Sequence, residues 1–313
     1  MSPELDTAVS QPAASGFLMI TALLLVDSLH YVFARLLLPH ISPAVSALYV
    51  MAIATAEVGL YGLVRKRLHL SATREHLWPL LAIGFLVAAS VNMTYESAAY
   101  IDPGTGSLLG QTSTLFALAL GLLWLRERLN PAQALGAVLA LAGVAVITFQ
   151  RGEYMRVGAV LVLSSAFLYA LHAAIAKRHS GSLEFLDFFF LRLLCTTVFL
   201  LVFAAGRRSL ALPSPRAWLL VILVGTVDVV LSRALYYTTL QQWKMSVHSI
   251  VLTLSPVATV VWSVLLFGTL PTVRQLAGGV AVLLGTLIVV RQRRTSSGAK
   301  RQSSEAVSSI GSP

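Results

Sequence analysis

The chain has 313 residues, 57% of them hydrophobic and 12% charged, with a formal net charge of +10. Soluble domains carry roughly 25% charged residues, so the composition argues against a soluble enzyme or a nucleic-acid-binding domain and places the chain in a bilayer. The single cysteine, Cys195, lies in an apolar block and leaves no intrachain disulfide framework and no cysteine metal cluster.

Taken in chain order, the apolar blocks predict ten spans, near 17–37, 43–63, 78–99, 104–124, 132–149, 157–177, 183–205, 217–240, 245–268 and 272–290. Each is close to the ~20 helical residues that a ~30 Å hydrocarbon core requires. The blocks are too long, and lack the alternation, for barrel strands. The first block follows a segment with no Lys or Arg that carries Glu4 and Asp6. It therefore reads as a spanning helix rather than a secretory signal. With the N-terminus inside, the inside segments hold twice as many Lys and Arg as the outside ones, although Arg207, Arg208 and Arg216 fall outside. This predicts a multi-pass protein of the plasma membrane with both termini cytoplasmic. Residues 1–16 form an N-terminal tail, and 292–313 a basic, Ser-rich tail that reads as disordered.

The chain repeats itself at a shift of 142 positions. Leu29, His30, Ala34 and Arg35 match Leu171, His172, Ala176 and Lys177. Tyr95 matches Tyr237, Ser113 matches Ser255, and Gln133, Gly136 and Gly143 match Gln275, Gly278 and Gly285. Each copy holds five spans, at 17–150 and 156–291. An odd number inverts the second copy, so the expected fold is an all-α membrane protein of ten helices as a 5+5 inverted-topology repeat. In that architecture substrate binds near the midplane between the halves. Gly136 and Gly143 share a helix face, as do Gly278 and Gly285. Their role is close packing, within a half or between protomers of a homodimer.

The stretch LWLRERLNPAQALGAVLALAGVAVI (123–147) resembles the end of an EamA-type domain of the drug/metabolite transporter superfamily. Glu127, Arg128, Gly136 and Gly143 stand at the matching places, and Arg35, Lys177, Arg192 and Pro256 also match family positions. The resemblance spans about 17–291 as two tandem domains. It implies a carrier that moves small metabolites. Two positions depart from the pattern: Thr114 replaces a proline in the fourth span, and Gly268-Thr269-Leu270 replaces an acidic motif in the second half.

Charges inside spans are the informative residues, since each costs roughly 2.5–3.5 kcal/mol at the bilayer centre. Six qualify: Asp27, Glu57, Glu96, Arg192, Asp228 and Arg233. Asp27, His30 and Tyr31 share a face of the first span. Asn92 and Glu96 stack in the third. Asp228, Arg233 and Tyr237 lie in the eighth, with Asp228 and Arg233 about 140° apart on a regular helix and so poor mutual partners. The expected partner of Arg233 is Glu96 or Asp27. Arg192 is expected either to bind an anionic group on the path or to pair with Asp187 a turn away, and Tyr169, a further candidate with Glu57, stands where the first copy has Asp27.

The segment DPGTGSLLGQ (102–111) lacks the Lys-Ser/Thr ending of a phosphate loop. It reads instead as a helix start, with Asp102 as N-cap and Pro103 at the first position. Gly106 and Gly110 then offer a small-residue face, and Gln111 and His248 are further candidates to line a path.

The function expected is therefore a secondary transporter of a small polar or drug-like solute by alternating access, with proton coupling through Asp27, Glu96 or Asp228 as one mode. No cofactor, metal or nucleic acid is expected; the partners are the solute and the lipid bilayer. A flippase for lipid or lipid-linked sugar on the same scaffold is the main alternative. An intramembrane enzyme is a lesser one, since HExxH and GxSxG are absent.

Overall fold

A computed structural model describes residues 14–68, 73–124, 130–148, 153–179, 184–242, 248 and 251–310. Among these, nine helices are long and apolar enough to cross a membrane. They are α1 Gly16–Leu37, α2 Pro43–Val64, α3 Leu77–Ser97, α4 Pro103–Leu123, α5 Pro131–Thr148, α6 Met155–Arg178, α7 Phe185–Gly206, α8 Pro215–Leu240 and α10 Val273–Arg291. Between the last two lies a shorter apolar helix, α9 Val251–Phe267. No strand occurs among the described residues. The protein is an all-helical membrane protein in which two tandem five-helix repeats are joined by the segment after α5.

Local sequence sets the helix starts. Asp102 caps α4, its carboxylate accepting from the Thr105 N–H at 2.8 Å, with Pro103 at the first helical position. Ser214 caps α8 in the same way through the Ala217 N–H. The repeat-matched glutamines are capping residues. Gln133 Oε1 accepts from the Asn130 N–H at 3.0 Å, and Gln275 Oε1 accepts from the Thr272 N–H at 2.6 Å. Asn130 and Thr272 return the favour to their own helix starts through Ala132 and Gln275. Each half thus opens its fifth helix with the same reciprocal box.

The two halves meet on their own equivalent residues. A Cβ on Gly136 would come within 2.7 Å of the Gly285 carbonyl oxygen, and one on Gly143 within 2.5 Å of that of Gly278. Since 278 and 285 are the images of 136 and 143, α5 and α10 cross with their glycine faces exchanged about a pseudo-two-fold axis. These glycines pack half against half within one chain, so this face is not available to a second protomer. The same axis passes between α2 and α7, where the hydroxyls of Thr55 and Thr197, again 142 apart, are 2.9 Å from one another.

Among the described residues, four helices depart from regular α geometry. α1 breaks at Ser28–Leu29, α4 at Gln111 and α9 at Leu254. In α8, Gly225–Leu231 winds as a π-helix. Interrupted helices near the midplane of a repeat carrier free backbone groups that line a cavity. The freed carbonyl of Ser28 accepts from the Thr259 hydroxyl at 2.7 Å, and its own hydroxyl accepts from Trp262 Nε1 at 3.1 Å. α9 therefore holds the break in α1. At the chain's far end the last helix runs Val273–Ile310, past the span. The tail expected to be disordered is thus helical, as follows when a formed helix propagates outward and each added residue gains one backbone bond.

Candidate functional site

The polar side chains of α1, α6, α7 and α8 converge at mid-depth. His30 Nδ1 lies 2.8 Å from Asp228 Oδ2. The two residues come from α1, just after its break, and from the π-helical turn of α8. The Asp228 side chain is 5% exposed and that of His30 34%, so the imidazole is the accessible partner of the pair. Tyr31 and Tyr95 meet the His30 ring edge-on, at centroid distances of 5.5 and 6.3 Å.

Arg233 forms the opposite pole. Its Nη2 donates to the Tyr169 hydroxyl at 3.3 Å, and its guanidinium lies 5.9 Å from the Tyr236 ring centre. Asp27 lies within Coulombic reach of Arg233, His30 and Asp228 and interacts with the Ser255 hydroxyl. The partner expected for Arg233 is Glu96 or Asp27; among the described residues neither forms a direct ion pair with it, and Asp27 is the acid within its Coulombic reach. Arg192 joins the same pole: its electrostatic neighbours are Arg233, Tyr169 and Tyr237, and it stacks at 5.6 Å on Phe189. A purely local role beside Asp187 does not describe it.

Two polar atoms in this region have no protein partner among the described residues: Tyr95 Oη and Arg192 Nε are buried without a hydrogen bond. Buried polar groups are normally satisfied, so these are groups that water or a bound solute would complete. The Tyr31 ring lies where side chains on Gly106 and Gly110 would stand, with its hydroxyl 2.6 Å from a Cβ placed on Gly110. The small-residue face of α4 thus seats Tyr31.

Other candidates fall elsewhere. Glu96 pairs with Arg207, beyond the end of α7, and accepts from Asn92 Nδ2 at 3.0 Å. Tyr95 is one residue and about 100° away on α3, which is why it faces the centre while Glu96 does not. Glu57 Oε1 accepts from the Thr226 hydroxyl at 2.6 Å, tying α2 to the π-helical turn. His248 is 1% exposed, interacts with the Thr239 hydroxyl at 3.1 Å and meets the Tyr236 ring edge-on at 4.7 Å. It backs a residue of the basic pole. Tyr237 packs against Phe185. Gln111 stands half-buried at the break in α4. Glu127 and Arg128 lie outside the described residues.

Sequence reasoning passed over Tyr236, and over Ser255 as a partner of Asp27. The matched Ser113 and Ser255 were the available signal for the second.

An inverted 5+5 helical repeat with ionisable side chains gathered at mid-depth between its halves defines a membrane transporter. The family model described as the EamA-like transporter family matches residues 14–149 and 156–291, one match per repeat, and the chain belongs to that family. It is 28% identical over 189 residues to the uncharacterized transporter YdfC of Bacillus subtilis, covering 59% of this chain and 61% of that one. It is also 30% identical over 83 residues to an uncharacterized transporter in the sor 3'region of Acidianus ambivalens, covering 26% and 33%. The chain thus spans less than two thirds of either relative. A solved structure titled only as the crystal structure of a protein superposes with a TM-score of 0.61 at 20% identity, over 88% of this chain and 97% of that one. That likeness supports the fold.

Proposed function

We propose that this transporter is a secondary carrier that moves a small polar solute of zwitterionic character by alternating access between its two halves. The observation that supports this most is the bipolar cluster at mid-depth. Asp27, His30 and Asp228 form an acidic pole, to which we assign proton exchange, and Arg192 and Arg233 a basic one, with Tyr31 and Tyr95 against His30 and Tyr169 on Arg233. A solute carrying both a cationic and an anionic group matches both poles, whereas a purely cationic or anionic one leaves a pole unanswered. The glycine-on-glycine crossing of α5 and α10 and the threonine contact of α2 and α7 supply symmetric seams about which the halves exchange packings.

Asp27 and the His30–Asp228 pair are the groups we assign to proton coupling. The location we propose is the plasma membrane, with both termini in the cytoplasm, which puts Arg35 and Arg207 at the outer boundary.

The experiment is reconstitution of the purified protein in proteoliposomes and a mass-spectrometric screen of a metabolite mixture, with and without a proton gradient. The expected result is gradient-stimulated accumulation of zwitterionic solutes, abolished in Arg233→Gln and uncoupled from the gradient in Asp27→Asn. Equal accumulation by the three proteins would overturn the assignment of the site.

A further inference from the structure

A cavity lies outside the central cluster. It is a groove of about 530 Å³ between α3, α6 and α7, with mostly apolar walls that include Met93, Leu161, Val202 and Phe203. Residues 89, 92, 93 and 96 share the face of α3 that lines it, at helical spacing. Ser90 and Thr94, on another face, bond Ser165 of α6 and close that seam. Tyr95 faces the centre. Three faces of one helix thus serve three different surroundings, and the groove has its own.

The groove ends in a polar head. Glu96 pairs with Arg207 there, and Asn92 gives its Nδ2 to Glu96. Asn92 is 5% exposed, lines the groove, and its Oδ1 is buried without a partner. A buried amide oxygen left open is an acceptor awaiting an N–H or O–H donor. Glu96 is one residue before the end of α3, and Arg207 one residue past the end of α7. Both helices finish at the same membrane boundary, where headgroups lie. The body of the groove is at acyl-chain depth, and Val202 on its wall is 58% exposed, toward lipid.

We propose that this groove is a binding site for one zwitterionic phospholipid of the surrounding bilayer that carries a primary ammonium. The ammonium donates to Asn92 Oδ1 and Glu96, the phosphate accepts from Arg207, and an acyl chain lies along the apolar walls. A choline headgroup has no N–H to give Asn92. A glycerol headgroup can offer Asn92 a hydroxyl, but it brings no cation to answer Glu96 and meets that carboxylate with like charge. The site stands apart from the solute path and does not depend on what is transported.

Native mass spectrometry of the detergent-purified full chain tests it, with phosphatidylethanolamine, phosphatidylcholine and phosphatidylglycerol of identical acyl chains as probes. One phosphatidylethanolamine should be retained, about tenfold more tightly than either other lipid, as expected from a charge-assisted hydrogen bond. Gly206→Trp is the occluding variant: Gly206 lines the groove and a Cβ there meets nothing within 4 Å, so the fold accepts the side chain while the groove fills. It should lose that lipid, and Asn92→Leu should lose the preference for it over phosphatidylcholine. Equal retention of the three lipids, undiminished retention in Gly206→Trp, or a dimer mass that Gly206→Trp abolishes would each overturn the proposal; the last would assign the groove to a second copy of the chain.

Discussion

Asp27 and Tyr169 are the same position in the two halves, and both address the guanidinium of Arg233. Tyr169 does so through its hydroxyl at 3.3 Å, Asp27 through space. Duplication gave Arg233 two equivalent neighbours, and divergence made one a carboxylate and the other a phenol. One cation thus lies between a carboxylate, the group to which we assign proton coupling, and a phenol that accepts its hydrogen bond. This division of labour leads directly to the first prediction.

Tyr169→Phe should raise the KM for the transported solute by up to about tenfold, the worth of one hydrogen bond to a charged group, and leave the dependence on a proton gradient intact. Asp27→Asn should do the converse, abolishing gradient dependence with a smaller effect on KM. Proteoliposome kinetics at two transmembrane pH differences separate the two. Identical behaviour of the two variants would mean that the positions have not diverged in function.

Arg233→Lys should not restore what Arg233→Gln removes. The guanidinium donates to Tyr169 while lying against Tyr236, and an ammonium point charge cannot do both. Solute affinity measured by competition in proteoliposomes should be equally weak in both variants.

His30 and Asp228 should behave as one unit. Removing either partner of a buried pair costs about 1.5–3 kcal/mol or leaves a buried group unanswered, whereas the double variant His30→Ala/Asp228→Ala should cost less than the sum. Thermal unfolding in detergent over the full cycle gives the coupling. A sum that is additive within error would show that the 2.8 Å contact contributes nothing.

Leu at Gly136 or Gly143 should prevent the halves from closing on each other. A Cβ there already meets a carbonyl oxygen at 2.5–2.7 Å, and backbone cannot move aside as a side chain does. Overpacking of this kind costs about 1–3 kcal/mol or more, read as a lowered unfolding midpoint and a loss of monodisperse protein. Gly206→Ala, in open space, is the control and should leave both unchanged.

What the sequence made legible was whatever depends on local spacing or on the repeat. Gln133 and Gln275 matched, and they turn out to occupy the same capping box; Asp102 and Pro103 announced the start of α4 for the same local reason. The glycine matches foretold close packing, but not that Gly136 would meet Gly285 rather than another protomer, because the crossing of two helices is set by the whole bundle. Glu96 shows the limit more sharply. Its charge inside the third span argues for a place on the central path, yet one step round the helix from Tyr95 it turns toward Arg207. Which of two adjacent residues faces the centre depends on helix rotation, and that rotation is fixed by contacts such as Ser90 with Ser165 that no residue type announces.

The π-helical turn at Gly225–Leu231 has a consequence for how duplicated proteins lose their likeness. Its counterpart, residues 83–89 of α3, is ordinary α-helix, although the two copies align without a gap. An extra residue wound into one turn changes the phase of everything after it. Tyr95 and Tyr237, identical in the alignment, therefore keep different company, one with His30 and the other with Phe185. A duplicate can thus redirect an entire helix face without inserting, deleting or exchanging the residues on it, and a ledger of substitutions between such copies understates how far they have moved apart.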